Sequence, residues 1–210
     1  MKLTQLSCND FAMELSSKKP VPGGGGVSAL VAALGVALNT MVANYSIGKK
    51  KLIDYKEVHD DIIKRGEILR DKLIDLIDKD AENFEPLSKA YVMPNITDEE
   101  KKAKDETLQK CLKVACSAPV EILQCTYDAI MLHSEIVDIS SKTIISDVGV
   151  GVQCLKAALY SSYLNVLINI NSMSDEKYVS EIKIRSEKIV NEGSIVADKV
   201  FEKVINIMNE

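Results

Sequence analysis

Histidine is scarce in this chain, and its cysteines are poorly arranged for pairing. Only His59 and His133 occur among 210 residues, which leaves a His-centred catalytic triad short of candidates. Cys8, Cys111, Cys116, Cys125 and Cys154 form no C-x-x-C pair, and none lies near a histidine at zinc-finger spacing. A structural zinc site is therefore not expected. The cysteine count is odd and no signal peptide precedes the thiols, so reduced thiols in a cytoplasmic protein are the expectation. Positive charge is also in deficit, with a net charge of −5, which argues against nucleic acid as the main partner. Strand signals are missing too: no two alternating segments flank an Asn-Gly or Asp-Gly turn.

Charge is wholly absent from Val27 to Gly48, a run of 22 residues. That is long enough to cross a bilayer, but Ala, Gly, Ser, Asn39, Thr40, Asn44 and Ser46 dilute its apolar residues. Small residues let helices approach closely, so the segment reads as the buried central helix of a bundle, with no membrane partner. Gly23-Gly24-Gly25-Gly26 precedes it and Lys49-Lys50-Lys51 follows. Two readings of the glycines stay open. They are a flexible connection between helices, or a bare loop through which a ligand oxygen reaches the unpaired N–H groups of a helix start.

Helical spacing dominates elsewhere. Ser7 to Asp10 resembles a capping box opening a short helix that ends near Ser17. The central helix follows, from about Gly26 to Ile47. A third starts near Asp54, with a seam at Ile62, Gly66, Leu69, Leu73 and Leu76, and Pro86 is expected to bend or end it. Thr97 to Glu100 is a second capping box; its helix runs to about Ile139, with a kink or split expected at Pro119. Another spans about Ser146 to Ile170, and Ser174-Asp175 opens the last. The expected fold is all-α: one domain over residues 1–210, a bundle of about six to eight helices around a buried central one.

Several polar residues fall where apolar ones belong. The third-helix seam continues to Asp80, then Phe84, Leu87 and Tyr91. A carboxylate there must be paired, hydrogen-bonded or protonated, as a salt bridge or cap, or as a ligand-facing group. Asp78 and Glu82 fall off the seam and read as solvated surface. Asp147, between Ile145 and Val148, is either an N-cap, a role Ser146 could also fill, or a ligand site. Asn165 and Asn169 lie one turn apart on an apolar helix, where inter-helix hydrogen bonding explains them as well as catalysis does. Lys49, Lys50 and Lys51 suit a helix C-terminus, and could also clamp carboxylates or move a proton. His59 and His133 read as surface or satisfied core groups. Asp147 and Asn165 lie about 27 Å apart along a straight helix, and the glycines and Lys49 about 35 Å. One shared pocket would need a kink or an antiparallel second subunit.

Pro20 to Gly25, Met41 to Asn44 with Gly48 to Lys51, Asp80 to Phe84 with Ala90-Tyr91 and Pro94, Ser146 to Val150, and Tyr163 to Val166 with Ile168-Asn169 occur in this order. Together they resemble the formiminotransferase-cyclodeaminase C-terminal domain, whose family also includes free-standing bacterial cyclodeaminases and methenyltetrahydrofolate cyclohydrolases. Gly26 stands where that family usually has Ser, Ser28 and Gly151 where it has Ala, and Ser162-Tyr163 where it has Gly-Ala. The resemblance implies an all-helical homodimer acting on a one-carbon tetrahydrofolate, with no metal and no permanently bound cofactor. Under it, Asp80, Asp147, Lys49, Lys50 and Lys51 are the catalytic candidates. Gly23, Gly24, Gly25, Gly26, Asn44 and Asn165 are the substrate-binding ones. A formiminotransferase segment is absent from these residues, which tilts the expectation to cyclohydrolase over cyclodeaminase, with a non-catalytic folate-binding protein as a third reading.

Overall fold

The computed structural model describes residues 2–210. Six α-helices account for most of them: α1 (Cys8–Leu15), α2 (Gly24–Ser46), α3 (Lys56–Tyr91), α4 (Asp98–Ile136), α5 (Ile145–Ile170) and α6 (Glu176–Asn209). Short 3-10 turns at Leu3–Gln5, Lys50–Tyr55, Val137–Ile139 and Lys142–Ile144 complete the chain, and no strand occurs among the described residues. The all-α bundle expected from spacing is the fold observed.

Local chemistry sets the helix ends. The Ser7 and Asp175 side chains accept from the third N–H of α1 and α6, and Thr97 and Glu100 close a reciprocal capping box on α4. α2 stops before Gly48, whose φ of +80° suits a residue without Cβ. Four expectations need correction. α2 begins at Gly24, so three glycines form its first turn and are not a loop. Neither Ser146 nor Asp147 caps α5: the N-cap position is Ile144, and Asp147 lies in the first turn. Pro86 does not end α3 and Pro119 does not split α4, since both lie inside unbroken helices. Asp78 is buried and not solvated, since its carboxylate accepts from the Leu3 N–H at 2.6 Å and the Thr4 hydroxyl at 2.7 Å.

α2 is the central helix, packed on α3, α5 and α4. Among the described residues it alone is long and apolar enough to cross a membrane, yet most of its length is buried inside the bundle. Its small residues allow that: Ala29, Ala32, Val36 and Val42 are fully buried. α2 and α5 run antiparallel, as their cross-contacts show. Gly24 lies beside Asn165, Ser28 Oγ lies 2.9 Å from Ser161 Oγ, and the Ser141 N–H donates to Ser46 Oγ at 3.2 Å. Midway, a methyl group on Gly35 would meet Leu155 Cγ at 2.8 Å and the Gly151 carbonyl at 2.9 Å; one on Gly151 would meet His133 Nε2 at 2.5 Å.

Both histidines are fully buried and each is satisfied at one ring nitrogen only. His59 Nε2 pairs with the Ile139 carbonyl, and His133 Nδ1 with that of Ala129. His59 Nδ1 and His133 Nε2 have no partner. Burial pushes the His133 pKa down to about 4, so its imidazole is neutral at physiological pH.

Because the α2–α5 crossing has no room for a Cβ, Gly35→Ala is expected to lower the unfolding free energy by about 1–3 kcal/mol, the usual cost of overpacking. Urea denaturation measures it, and an unchanged midpoint would show that the crossing yields.

Candidate functional site

The first turn of α2 packs against α3 on one side and α5 on the other. Both neighbours place a polar side chain where a Cβ would otherwise be. A methyl group on Gly25 would overlap all three carboxyl atoms of Asp80, and one on Gly24 would lie 3.1 Å from Asn165 Oδ1. Gly25 is thus required by close approach, not by unusual backbone angles, and Gly24 sits in a tight contact with Asn165. Gly26 differs, since its nearest neighbour would be Ile77 Cγ2 at 3.7 Å, an ordinary contact.

Around this turn lies a cleft of about 210 Å³. Asp80, Gly23, Gly24, Gly25, Asn165 and Asn169 supply its polar lining. Phe84, Tyr91, Leu87, Pro119 and Ile168 supply apolar walls. The sequence seam through Asp80, Phe84, Leu87 and Tyr91 therefore forms one wall. Asp80 is half-buried. Desolvation raises its pKa to about 6, against the opposing pull of the Gly26 N–H. A carboxylate with that value takes and returns protons near neutrality.

The two asparagines are fixed by their own helix. Asn165 Nδ2 donates to the Ser161 carbonyl at 2.8 Å, and Asn169 Nδ2 to that of Asn165 at 2.7 Å. Ser28 does not line the cleft. Its buried hydroxyl donates to the Gly24 carbonyl at 2.7 Å and also meets Ser161, so it braces the turn from behind.

The remaining candidates lie at the other end of α2. Lys49, Lys50 and Lys51 line a separate groove of about 470 Å³ with Leu52, Ser140, Ser141, Lys142 and Thr143. Lys49 Nζ donates to Ser141 Oγ at 2.6 Å. Asn44 is exposed and donates to the Thr40 carbonyl at 2.9 Å. Asp147 is half-buried just beyond the Lys142–Ile144 turn that borders this groove. With α2 unbroken, about 35 Å separates the lysines from the glycine turn. One chain therefore brings together Gly23, Gly24, Gly25, Asp80 and Asn165, with Gly26 in the same turn. It does not bring Lys49, Lys50, Lys51, Asp147 or Asn44 to them. Phe84, Tyr91 and Pro119 are not among the candidates read from the sequence, and Asn169 is there only as one of a pair that inter-helix hydrogen bonding explains as well. For Phe84 and Tyr91 the continued seam was the available signal, whereas nothing in the sequence places Pro119 opposite the glycines.

Two substitutions separate the roles of adjacent glycines. Gly25→Ala displaces the Asp80 carboxylate and is expected to abolish ligand binding to the cleft while the helices persist by circular dichroism. Gly26→Ala has room for its Cβ and is expected to raise the melting temperature, because glycine within a helix costs roughly 0.5–1 kcal/mol relative to alanine. Equal effects at both positions would contradict the geometry.

Asp80→Asn tests the burial of the charge. The folded pKa is raised from 3.8 to about 6, so the carboxyl's stabilising contribution is complete below about pH 4 and lost as pH climbs through about 6. The amide cannot ionise. The variant is therefore expected to melt higher than the parent at pH 7–8, with the gap closing below about pH 4. A gap that does not change with pH would show that the carboxyl is not desolvated.

Residues 7–188 match the family described as formiminotransferase-cyclodeaminase. The chain is 33% identical over 199 residues to a methenyltetrahydrofolate cyclohydrolase of Methylorubrum extorquens, covering 95% of this chain and 96% of that protein. It is 27% identical over 199 residues to the formimidoyltransferase-cyclodeaminase of Rattus norvegicus, covering 95% of this chain but only 37% of that longer protein. In three dimensions it resembles the formiminotetrahydrofolate cyclodeaminase of Thermotoga maritima, with a TM-score of 0.81, 28% identity, and coverage of 99% and 98% of the two chains. With sequence and fold matched over nearly its whole length, the chain belongs to the formiminotransferase-cyclodeaminase family.

Proposed function

We propose that this protein is a folate one-carbon enzyme that hydrolyses 5,10-methenyltetrahydrofolate to 10-formyltetrahydrofolate. The observation that carries the reading is Asp80, a carboxylate tuned to about pH 6 and seated on a side-chain-free helix turn in a cleft with aromatic walls. The similarity to the Methylorubrum cyclohydrolase over the full length of both proteins supports it.

In this mechanism the tetrahydropterin end enters the cleft between Phe84, Tyr91 and Pro119. Water adds to the amidinium carbon between N5 and N10, and Asp80 takes its proton. The tetrahedral carbon then breaks its bond to N5. The carbinol O–H proton ends on N5, the formyl group stays on N10, and the proton held by Asp80 leaves to solvent. Asp80 must be ionised to act, so kcat/KM is expected to rise as pH climbs through about 6. No resident cofactor or metal is assigned a step; the tetrahydrofolate derivative is the substrate.

A homodimer completes the site in this reading. α2 carries no charge, and α5 carries only Asp147 and Lys156. Their outer face leaves Leu34, Val150, Leu164 and Ile168 exposed, and an apolar cleft of about 500 Å³ continues it through Val31, Cys154, Ala157 and Met208. A second copy laid antiparallel on this face covers it by two-fold symmetry. It also sets the Lys49 to Lys51 groove, with Asp147 and Asn44, beside the partner's cleft. Lysines there suit the carboxylates of a folate tail. A cytoplasmic location follows from the substrate under this reading.

The second reading is 5-formiminotetrahydrofolate cyclodeaminase, favoured by the likeness to the Thermotoga protein. Purified protein tested on both folates decides between them. Loss of methenyl absorbance above the spontaneous rate, reduced about tenfold or more by Asp80→Asn, is the expected result. Ammonia release from the formimino substrate would transfer the assignment to the cyclodeaminase, and neither signal would remove the enzymatic reading.

A further inference from the structure

Asp80 is the sole charged side chain among the residues that line the cleft. The elements facing it bring no cation. α2 is uncharged, α4 presents Ala115 and Pro119, and α5 presents Asn165, Ile168 and Asn169. On α3 itself, Tyr91 is the one other titratable group of the cleft. Lys79, the neighbour of Asp80 in sequence, pairs with Glu121 at 2.7 Å, as Lys72 does at 3.0 Å. The adjoining groove, which shares Pro20 and Val21, is lined by Asp78, Glu82 and Glu85 against Lys2. Of these, Asp78 is held by Leu3 and Thr4, and Glu85 pairs with Lys89 at 2.6 Å. Lys49, Lys50 and Lys51 lie at the far end of α2. Among the described residues, then, the Asp80 carboxylate has no counter-ion. The Gly26 N–H favours its charge, and desolvation outweighs that pull. A carboxylate left under-compensated in this way gains when a cation enters the cleft beside it.

Charge also separates one bridged folate from another. The 5,10-methenyl bridge is an amidinium, with its positive charge shared between N5 and N10, whereas a carbonyl at the same carbon makes the bridge neutral. Phe84 and Tyr91, on the helix that carries Asp80, add aromatic surface suited to a delocalised cation. We infer that the cleft selects its ligand by charge, holding the one-carbon bridge as a cation with Asp80 as its counter-ion and discriminating against a neutral bridge of the same shape. This rests on the folate reading above. It holds for both catalytic readings, because the methenyl cation is the substrate of the hydrolysis and the product of the ring closure.

Two analogues that do not hydrolyse isolate the charge: a cyclic guanidinium and a cyclic urea, with C=NH₂⁺ or C=O at the bridge carbon of one tetrahydrofolate skeleton. Their tails are identical, so lysines that meet the tail carboxylates act equally on both. Isothermal titration calorimetry on the parent protein is expected to give a Kd about tenfold or more lower for the guanidinium, the worth of an opposite charge beside a carboxylate. As Asp80 takes up its proton, from about pH 7.5 to about pH 5, the guanidinium's Kd rises about five- to tenfold and the urea's changes less than about twofold. In Asp80→Asn, with its fold checked by circular dichroism, the two analogues bind within about twofold of each other. Equal affinities in the parent overturn the inference and leave the folate reading standing. A preference for the cation that persists undiminished at low pH and in Asp80→Asn also overturns it, since the carboxylate is then not the counter-ion. A parent that binds neither analogue sinks the folate reading, and this inference with it.

Discussion

Gly35 and Gly151 face each other where α2 crosses α5, and neither position can hold a Cβ without collision. This crossing fixes how close the two helices come along their whole antiparallel run. Eleven residues toward the N-terminus of α2, the same closeness brings Gly24 against Asn165. At the other end it lets Ser46 take the Ser141 N–H and Lys49 reach the Ser141 hydroxyl. A wider crossing would open the cleft at one end and the basic groove at the other. The core and the site therefore depend on one interhelical spacing.

The cleft carries two features that cost the fold stability. Desolvation of Asp80 works against the fold at neutral pH, and so does a run of glycines in a helical first turn. Both are retained because helix N–H groups, a carboxylate and two amides converge only if nothing stands between them. The neighbouring Asp78 shows the alternative fate of a carboxylate on the same helix. It accepts from the Leu3 N–H and the Thr4 hydroxyl, so it serves structure by tying the chain's start to α3.

The fold was legible because its apolar period is long and consistent. The helices of the Ile62 to Leu76 seam and of the Thr97 box lie where spacing placed them. The start of α2 was misread because glycine is a poor helix former, and only tertiary neighbours explain why it is there. Asp80 could be read because it interrupts a seam. Asp78 could not, because its partners lie more than seventy residues away in sequence. The separation of Lys49 to Lys51 from the glycines followed from helix rise alone. Pro119 looked like a breaker, and its place opposite the glycine turn depends on how α4 packs, which no local pattern encodes.

A binding floor made from the backbone evolves differently from one made of side chains. No conservative exchange exists at Gly25, because the smallest step already overlaps the Asp80 carboxylate, and at Gly24 it presses on Asn165. The surrounding Phe84, Tyr91 and Ile168 carry no such restriction. A change in what the cavity accepts can therefore come from its walls, but not from Gly25.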